Sequence, residues 1–273
     1  MAKKLSSAQE PIKENVVQST TSTKSVQATT NIKYPLLPDL PNQTDPLYST
    51  IGTTIPKDIS WETSYPAVYN QLDTNSCTAQ AMCGAVAFLN SGQFDPSRLF
   101  QFYNERKLTN SVNSDSGSTI GLSVKAANID GICNELMWPF NEKDVTELPS
   151  MKCYQMARKN LFKSAKKIVI QNNSGLINTI KVAIFKGSPV LAGVVVFPSM
   201  EDQSTAETGI VPMPSMNNEP LGGHAIVLMG YYSDTKLIQF RNSWGSGWGV
   251  NGYGFFPEEY LEQYLMSAWV LEN

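Results

Sequence analysis

A chain of 273 residues with 41% hydrophobic content is long enough to bury one large core or two packed lobes. Its net charge of −3, without a basic stripe, disfavours nucleic acid and anionic membranes as partners. No apolar run reaches the length of a membrane span, and the N-terminal MAKKLSSAQEPIKEN carries charge but no apolar h-region, so a secretory signal is not expected.

Residues 1–33 hold no aromatic side chain, and eight of the twelve residues from Ser19 to Thr30 are Ser or Thr. Such a segment buries too little apolar surface to offset its ordering entropy, which predicts a disordered tail. Residues 34–56, YPLLPDLPNQTDPLYSTIGTTIP, mix prolines with large apolar side chains and predict an extended segment lying on a surface. Globular composition begins at Lys57.

Asn75 or Ser76 is placed to cap a helix starting at Cys77, and TAQAMCGAVAFLN is apolar nearly all round, as in a buried, closely packed helix. Asp95-Pro96 marks a second helix start, and Ser118–Gly131 reads as a third helix with Gly131 past its end. YQMARKNLFKSAKK reads as helical, and Ser174 opens another helix that Gly187 stops. The runs PVLAGVVVF, HAIVLMGYY, KLIQFRN and YGFF then read as strands. Helices first and strands second predict an α+β protein: a mainly helical lobe over 56–182 and a mainly β lobe over 183–273, after a tail of 1–55.

The chemistry gathers at few residues. The cysteines are Cys77, Cys83, Cys133 and Cys153, too few and too irregular for a disulfide scaffold, so reduced thiols and an intracellular setting are expected. Cys77 and Cys83 lie on different faces of one helix, and Cys133 and Cys153 lack metal-ligand spacing, so zinc is not expected. Cys77 opens a helix, where the positive end of the macrodipole favours a thiolate. The single histidine, His224, follows Gly222 and Gly223 at the start of an apolar strand. Asn242 ends a later strand just before SWGSGWGVNGYG, whose glycines mark tight turns and whose tryptophans are suited to cover a polar group. A thiolate, an imidazolium and an asparagine that holds the ring make an activated nucleophile. Gln71, six residues before Cys77, is placed to supply an oxyanion donor.

From about Ile55 to its end the chain resembles the papain family of cysteine peptidases. The resemblance rests on Gln71 six before Cys77, the Ser76-Cys77 pair opening an Ala-rich helix, Gly-His224-Ala before a strand, and Asn242-Ser-Trp-Gly-x-Gly-Trp-Gly-x-x-Gly-Tyr. His224 lies 147 residues after Cys77, within the roughly 130–150 that the family shows, and Asn242 lies 165 after it, somewhat beyond that range. The resemblance implies a two-lobed papain-like fold, with a helical left lobe, an antiparallel β-barrel-like right lobe and an active-site cleft between them. It implies Cys77 as nucleophile, His224 as general acid/base, Asn242 as orienter, Gln71 as oxyanion donor and Trp244 as a shield over the His–Asn bond. Ser116 and Gly117 fall where the family presents backbone to an extended substrate. Gly222 and Gly223 fall at the wall of the specificity pocket and imply a roomy, uncharged one. No cofactor is implied, the partner is a peptide or protein substrate, and residues 34–56 are expected to lie over the cleft as a short prosegment.

Some features depart from the family. Thr78 stands where an aromatic residue is usual, and Thr74 where a disulfide cysteine is usual. DSGSTIGLSVKAANIDGIC replaces the Cys-Asn-Gly-Gly stretch of secreted members, and its Asp115 is expected to be a solvated loop acid. These features are similar to a divergent branch with microbial and viral members, which adds a viral particle to the expected locations. A catalytically inactive binding protein, and an isopeptidase or acyl transferase on the same scaffold, stay open as alternatives. Thr78 is the one change beside the nucleophile that favours the inactive protein.

Overall fold

The computed structural model describes residues 34–50, 52–162, 164–171 and 174–272. The tail expected over 1–33 lies outside the described residues. The elements run β1 (Asp58–Ser60), α1 (Cys77–Leu89), α2 (Arg98–Lys107), α3 (Ile120–Ile129), α4 (Met151–Ala157), β2 (Ala165–Lys167) and α5 (Leu176–Phe185). They continue with β3 (Val190–Val196), α6 (Gln203–Thr208), β4 (Gly222–Tyr232), β5 (Leu237–Arg241), β6 (Tyr253–Pro257), α7 (Glu258–Tyr264) and β7 (Leu265–Leu271). The strands form one antiparallel sheet in the order β2-β7-β3-β4-β5-β6, with β1 added alongside β4. This is the α+β class expected.

α1 is buried from Cys77 to Ala87. Its alanines and glycine let α2, α3 and β4 approach closely, which a helix with one apolar stripe would not allow. Ser76 takes the N-cap position but does not cap; its hydroxyl is engaged by Thr74 and Gln80 instead. α2 starts at Arg98, not at Asp95-Pro96, because Ser97 accepts the Phe100 N–H at 3.1 Å and becomes the cap. The helix expected over YQMARKNLFKSAKK stops at Ala157. Residues 165–167 pair instead with Trp269–Leu271 of β7, so a partner strand overrides local helical preference.

The central strands are covered on both sides, which explains their unbroken apolar runs. Val190, Val194, Ile226 and Leu228 belong to a core completed by α5 and α7. Leu191, Ala225 and Val227, of opposite parity, pack with Met82, Ile120 and Val124 from α1 and α3. The boundary expected at residue 182 cuts through α5, whose Leu176, Ile180 and Ile184 belong to the first of these cores.

Between α1, α2 and α3 lies a fully buried carboxyl, Glu105. It accepts the Thr78 and Ser123 hydroxyls at 2.5 Å each and the Gln101 amide at 3.1 Å. The neighbouring Arg106 guanidinium is spent on the carbonyls of Phe102, Ser114 and Val145. Burial therefore dominates and raises the Glu105 pKa from 4.5 to about 7, although the three donors oppose it. A carboxyl whose folded value is raised stabilises the fold most below its ordinary pKa, and that share is lost as pH rises through the folded value. Glu105→Gln is expected to flatten the fall in thermal midpoint between pH 4.5 and 7 relative to wild type. Parallel melting profiles for the two proteins across that window would refute it.

Candidate active site

The turn that leads into α1 is held from two sides. Gln71 N–H donates to the Ser243 carbonyl at 2.8 Å, and the Thr74 hydroxyl donates to the Gln71 carbonyl at 2.6 Å. From the other side, Asp115 accepts the Asn75 N–H at 3.1 Å, and the Asn75 amide donates to the Asp115 carbonyl at 2.6 Å. Asp115 is thus half-buried and structural, which corrects the solvated loop acid expected, because the turn before α1 has unpaired N–H groups that a carboxylate satisfies.

Cys77 opens α1 and is 1% exposed. Its thiol meets the backbone N–H of Ala225, the residue directly after His224. The Gln71 side chain is oriented from the sheet. Its Oε1 accepts the Ser243 hydroxyl at 2.7 Å, so the amide nitrogen faces the turn, where it donates one hydrogen to the Thr74 carbonyl at 2.9 Å.

His224 is the third residue of β4 and is 1% exposed. Its Nε2 lies 2.8 Å from Asn242 Oδ1, which also accepts the Ser243 N–H at 2.8 Å. The Ser243 N–H, which can only donate, identifies that atom as the amide oxygen. Nε2 therefore carries the ring proton, and Nδ1 of a neutral ring is the acceptor. Trp244 stacks on the imidazole with centroids 4.8 Å apart.

A second cover comes from the chain itself. Leu36 N–H donates to the Gly223 carbonyl at 3.1 Å, Gly223 N–H donates to the Tyr34 carbonyl at 3.0 Å, and Leu37 N–H donates to the Ser118 carbonyl at 3.2 Å. A Cβ on Gly117 would sit 2.2 Å from the Pro35 carbonyl oxygen, and one on Gly222 would sit 2.2 Å from that of Tyr34. Glycine is needed at both places for this backbone approach. Ser116, beside Gly117, has a buried hydroxyl with no protein partner. Tyr34 puts its ring 6.1 Å from His224 and 5.9 Å from Trp244, and its hydroxyl donates to Glu201. Leu36 joins the core cluster that contains Cys77 and Ala225.

The electrostatics follow from this burial. Loss of water pushes the Cys77 thiol up to about 12, and it pulls His224 down to about 4 against the opposing bond from Asn242. Under the cover, both groups are neutral across the range between. Among the described residues, no group of three or more His, Cys, Asp or Glu side chains is placed to hold a metal ion.

The expected residues thus fall into two sets. Cys77, His224, Asn242, Gln71 and Trp244 meet where the N-terminus of α1 faces the ends of β4 and β5, while Gly117, Gly222 and Gly223 border the covering segment. Two supports are not evident in sequence. Ser243 holds Gln71, and Glu105 holds Thr78. The Thr78 departure signals only that something polar lies behind the nucleophile.

A family model for papain family cysteine proteases matches residues 55–264. An uncharacterized peptidase C1-like protein of Acanthamoeba polyphaga mimivirus is 35% identical over 223 residues, covering 76% of this chain and 71% of that protein. Among solved structures, xylellain, a cysteine protease from Xylella fastidiosa, superposes with a TM-score of 0.81 at 28% identity over 88% of this chain and 96% of its own. ProCathepsin B S9 from Trypanosoma congolense shares the fold at 14% identity, with a TM-score of 0.68 over 89% of this chain and 87% of its own. With the family model spanning most of the sequence and a papain-like fold built around Cys77, His224 and Asn242, this chain belongs to the papain family of cysteine proteases, which are hydrolases.

Proposed function

We propose that this protein is an endopeptidase in which Cys77 is the nucleophile, His224 the general acid/base, Asn242 the ring orienter and Gln71 an oxyanion donor. The observation that carries the reading is the 2.8 Å His224–Asn242 bond on a ring whose neighbour, Ala225, presents its N–H to the Cys77 thiol. Nδ1 of His224 takes the thiol proton, and the thiolate attacks the scissile carbonyl. The backbone N–H of Cys77 and the second amide hydrogen of Gln71 receive the oxyanion. His224 protonates the leaving amine and then activates the water that releases the acyl group. Ser116, Gly117, Gly222 and Gly223 line the groove that takes an extended peptide. Trp244 keeps water from the His–Asn bond.

Thr78 does not argue for an inactive protein. Its hydroxyl points to Glu105 in the helical core, so the departure is accommodated away from the cleft. Free cysteines and the viral relative support an intracellular or virion setting. Among the described residues, no helix is long and apolar enough to cross a membrane.

Residues 34–37 act in this reading as the seated part of a prosegment, narrower than the 34–56 expected. They occupy backbone groups on both sides of the groove and exclude water from the thiol. Their release rehydrates Cys77 and His224, which removes the largest cause of both pKa shifts and allows the thiolate–imidazolium pair.

An epoxide-type thiol-protease inhibitor is expected to form a single adduct on Cys77, located by mass spectrometry and absent in Cys77→Ala. His224→Ala should slow labelling by roughly 10²–10⁴-fold. Equal labelling of Cys83, Cys133 and Cys153 would sink the assignment. Leu36→Asp places a charge in an apolar cluster and should speed Cys77 labelling of the full chain at least about tenfold, a loss of some 1.4 kcal/mol of cover. An unchanged rate would mean that the segment does not gate the thiol.

A further inference from the structure

Three residues beyond Leu36, the same segment plants a carboxylate in a socket made only of donors. Asp39 Oδ1 accepts the Gly121 N–H at 2.7 Å, near the start of α3. Asp39 Oδ2 accepts the Ser267 hydroxyl at 2.5 Å and the Trp269 indole N–H at 2.7 Å. Lys167 Nζ stands 3.6 Å from Oδ2 and is shared with Asp45 at 3.4 Å. With Asp39 seated, Ser267 and Trp269 are 1% and 4% exposed, so removing its carboxylate while the segment stays in place would bury two unpaired donors. A backbone N–H, an indole N–H and an ammonium have nothing to accept with, which restricts the occupant to an anion or a strong acceptor.

The socket is continuous with the groove. Ser267 pairs with Gly193 across β3 and β7, and a Cβ on Gly193 would lie 2.7 Å from Leu36 Cδ2. Leu36 and Asp39 therefore occupy adjoining sites on one strand pair, about 10 Å apart along an extended chain. Tyr34, at the other end, is the residue beside His224. A peptide that took the place of residues 34–39 would run from Gly223 and Ser118 to this socket.

We propose that Gly121, Ser267, Trp269 and Lys167 form a carboxylate-binding subsite of the peptide groove, filled in cis by Asp39 and read in trans by acidic substrates. The preferred peptide carries an apolar residue in the Leu36 position and an Asp or Glu side chain about three residues further from the catalytic pair. The substrate part of this inference rests on the endopeptidase reading above.

Two measurements on the full chain test it. Asp39→Ala empties the socket, and sodium acetate is expected to raise the thermal midpoint of that variant by a few degrees, while acetamide or sodium chloride at the same concentration does not. Wild type and the Asp39→Ala, Ser267→Ala double variant should show no such rise. No response to acetate overturns the socket. If Asp39→Ala does not fold, Asp39→Asn keeps the shape and carries the second measurement. That measurement compares two peptidyl epoxides, identical except for Asp or Asn three residues further from the epoxide than a leucine, by their rate of reaction at Cys77. The acidic probe should react about tenfold or more faster, the least a charge-assisted bond contributes, and Lys167→Met should bring the ratio towards one. Equal rates leave Asp39 as an internal anchor only and overturn the proposal. If neither probe reacts at Cys77 even in the Leu36→Asp chain, whose cover is loosened, the endopeptidase reading fails, while the acetate response still decides the socket.

Discussion

The site depends on one seam, where the strand leaving β5 meets the chain entering α1. Arg241 donates to the carbonyls of Pro66 and Ala67 at 2.9 and 2.7 Å. Two residues on, the Ser243 carbonyl accepts the Gln71 N–H at 2.8 Å, and two further on, Gly245 N–H donates to the Tyr69 carbonyl at 2.9 Å. The Arg241 side chain and the backbone of Ser243 and Gly245 thus grip 66–71, the backbone pair forming an antiparallel bridge between Asn70 and Trp244. Asn242 lies inside that segment and Cys77 lies just past the gripped one. The seam therefore sets the distance between a helix N-terminus and the end of a sheet, elements that have no covalent reason to meet.

Desolvation is the second constraint, and it acts through glycine. Gly117, Gly222 and Gly223 admit a backbone where side chains would exclude it, so residues 34–37 pack and hydrogen-bond against Ser118 and Gly223. Burial raises the Cys77 thiol and lowers His224, because an ion pair in a dry site must repay the loss of hydration for both charges. His224 and Asn242 keep their 2.8 Å bond beneath the segment.

Behind Cys77 the helical core is polar at Thr78, the position where the resemblance implied an aromatic ring. Glu105, Thr78, Ser123 and Gln101 satisfy one another across three helices. Their mutual bonds make the cluster tolerable, since each buried polar atom that is paired avoids its desolvation penalty. The same logic recurs at Asp39, where a carboxylate from the covering segment answers donors of α3 and β7. In both places a buried donor or acceptor selects its partner more sharply than apolar packing does.

Much of this was legible in the chain. The run from Asn242 to Tyr253, the single His224 after two glycines, and Gln71 spaced before Cys77 identified the family and named the residues that meet. Periodicity placed α1, α3, α5 and β3 to β5 close to where they lie. It misplaced what other elements decide. The stretch through Lys167 reads as helix but pairs with β7; Asp115 reads as a solvent loop but ties down the turn before α1; and β7 itself carried no turn signal that set it apart. Sequence by itself determined the family and the residue types that carry its chemistry, because a cysteine, a histidine and an asparagine stand in a spacing that few other folds use. Only the tertiary structure decided that the segment from Tyr34 to Asp39 lies against that chemistry, because its placement depends on glycines and donors far along the chain, whose geometry no local pattern records.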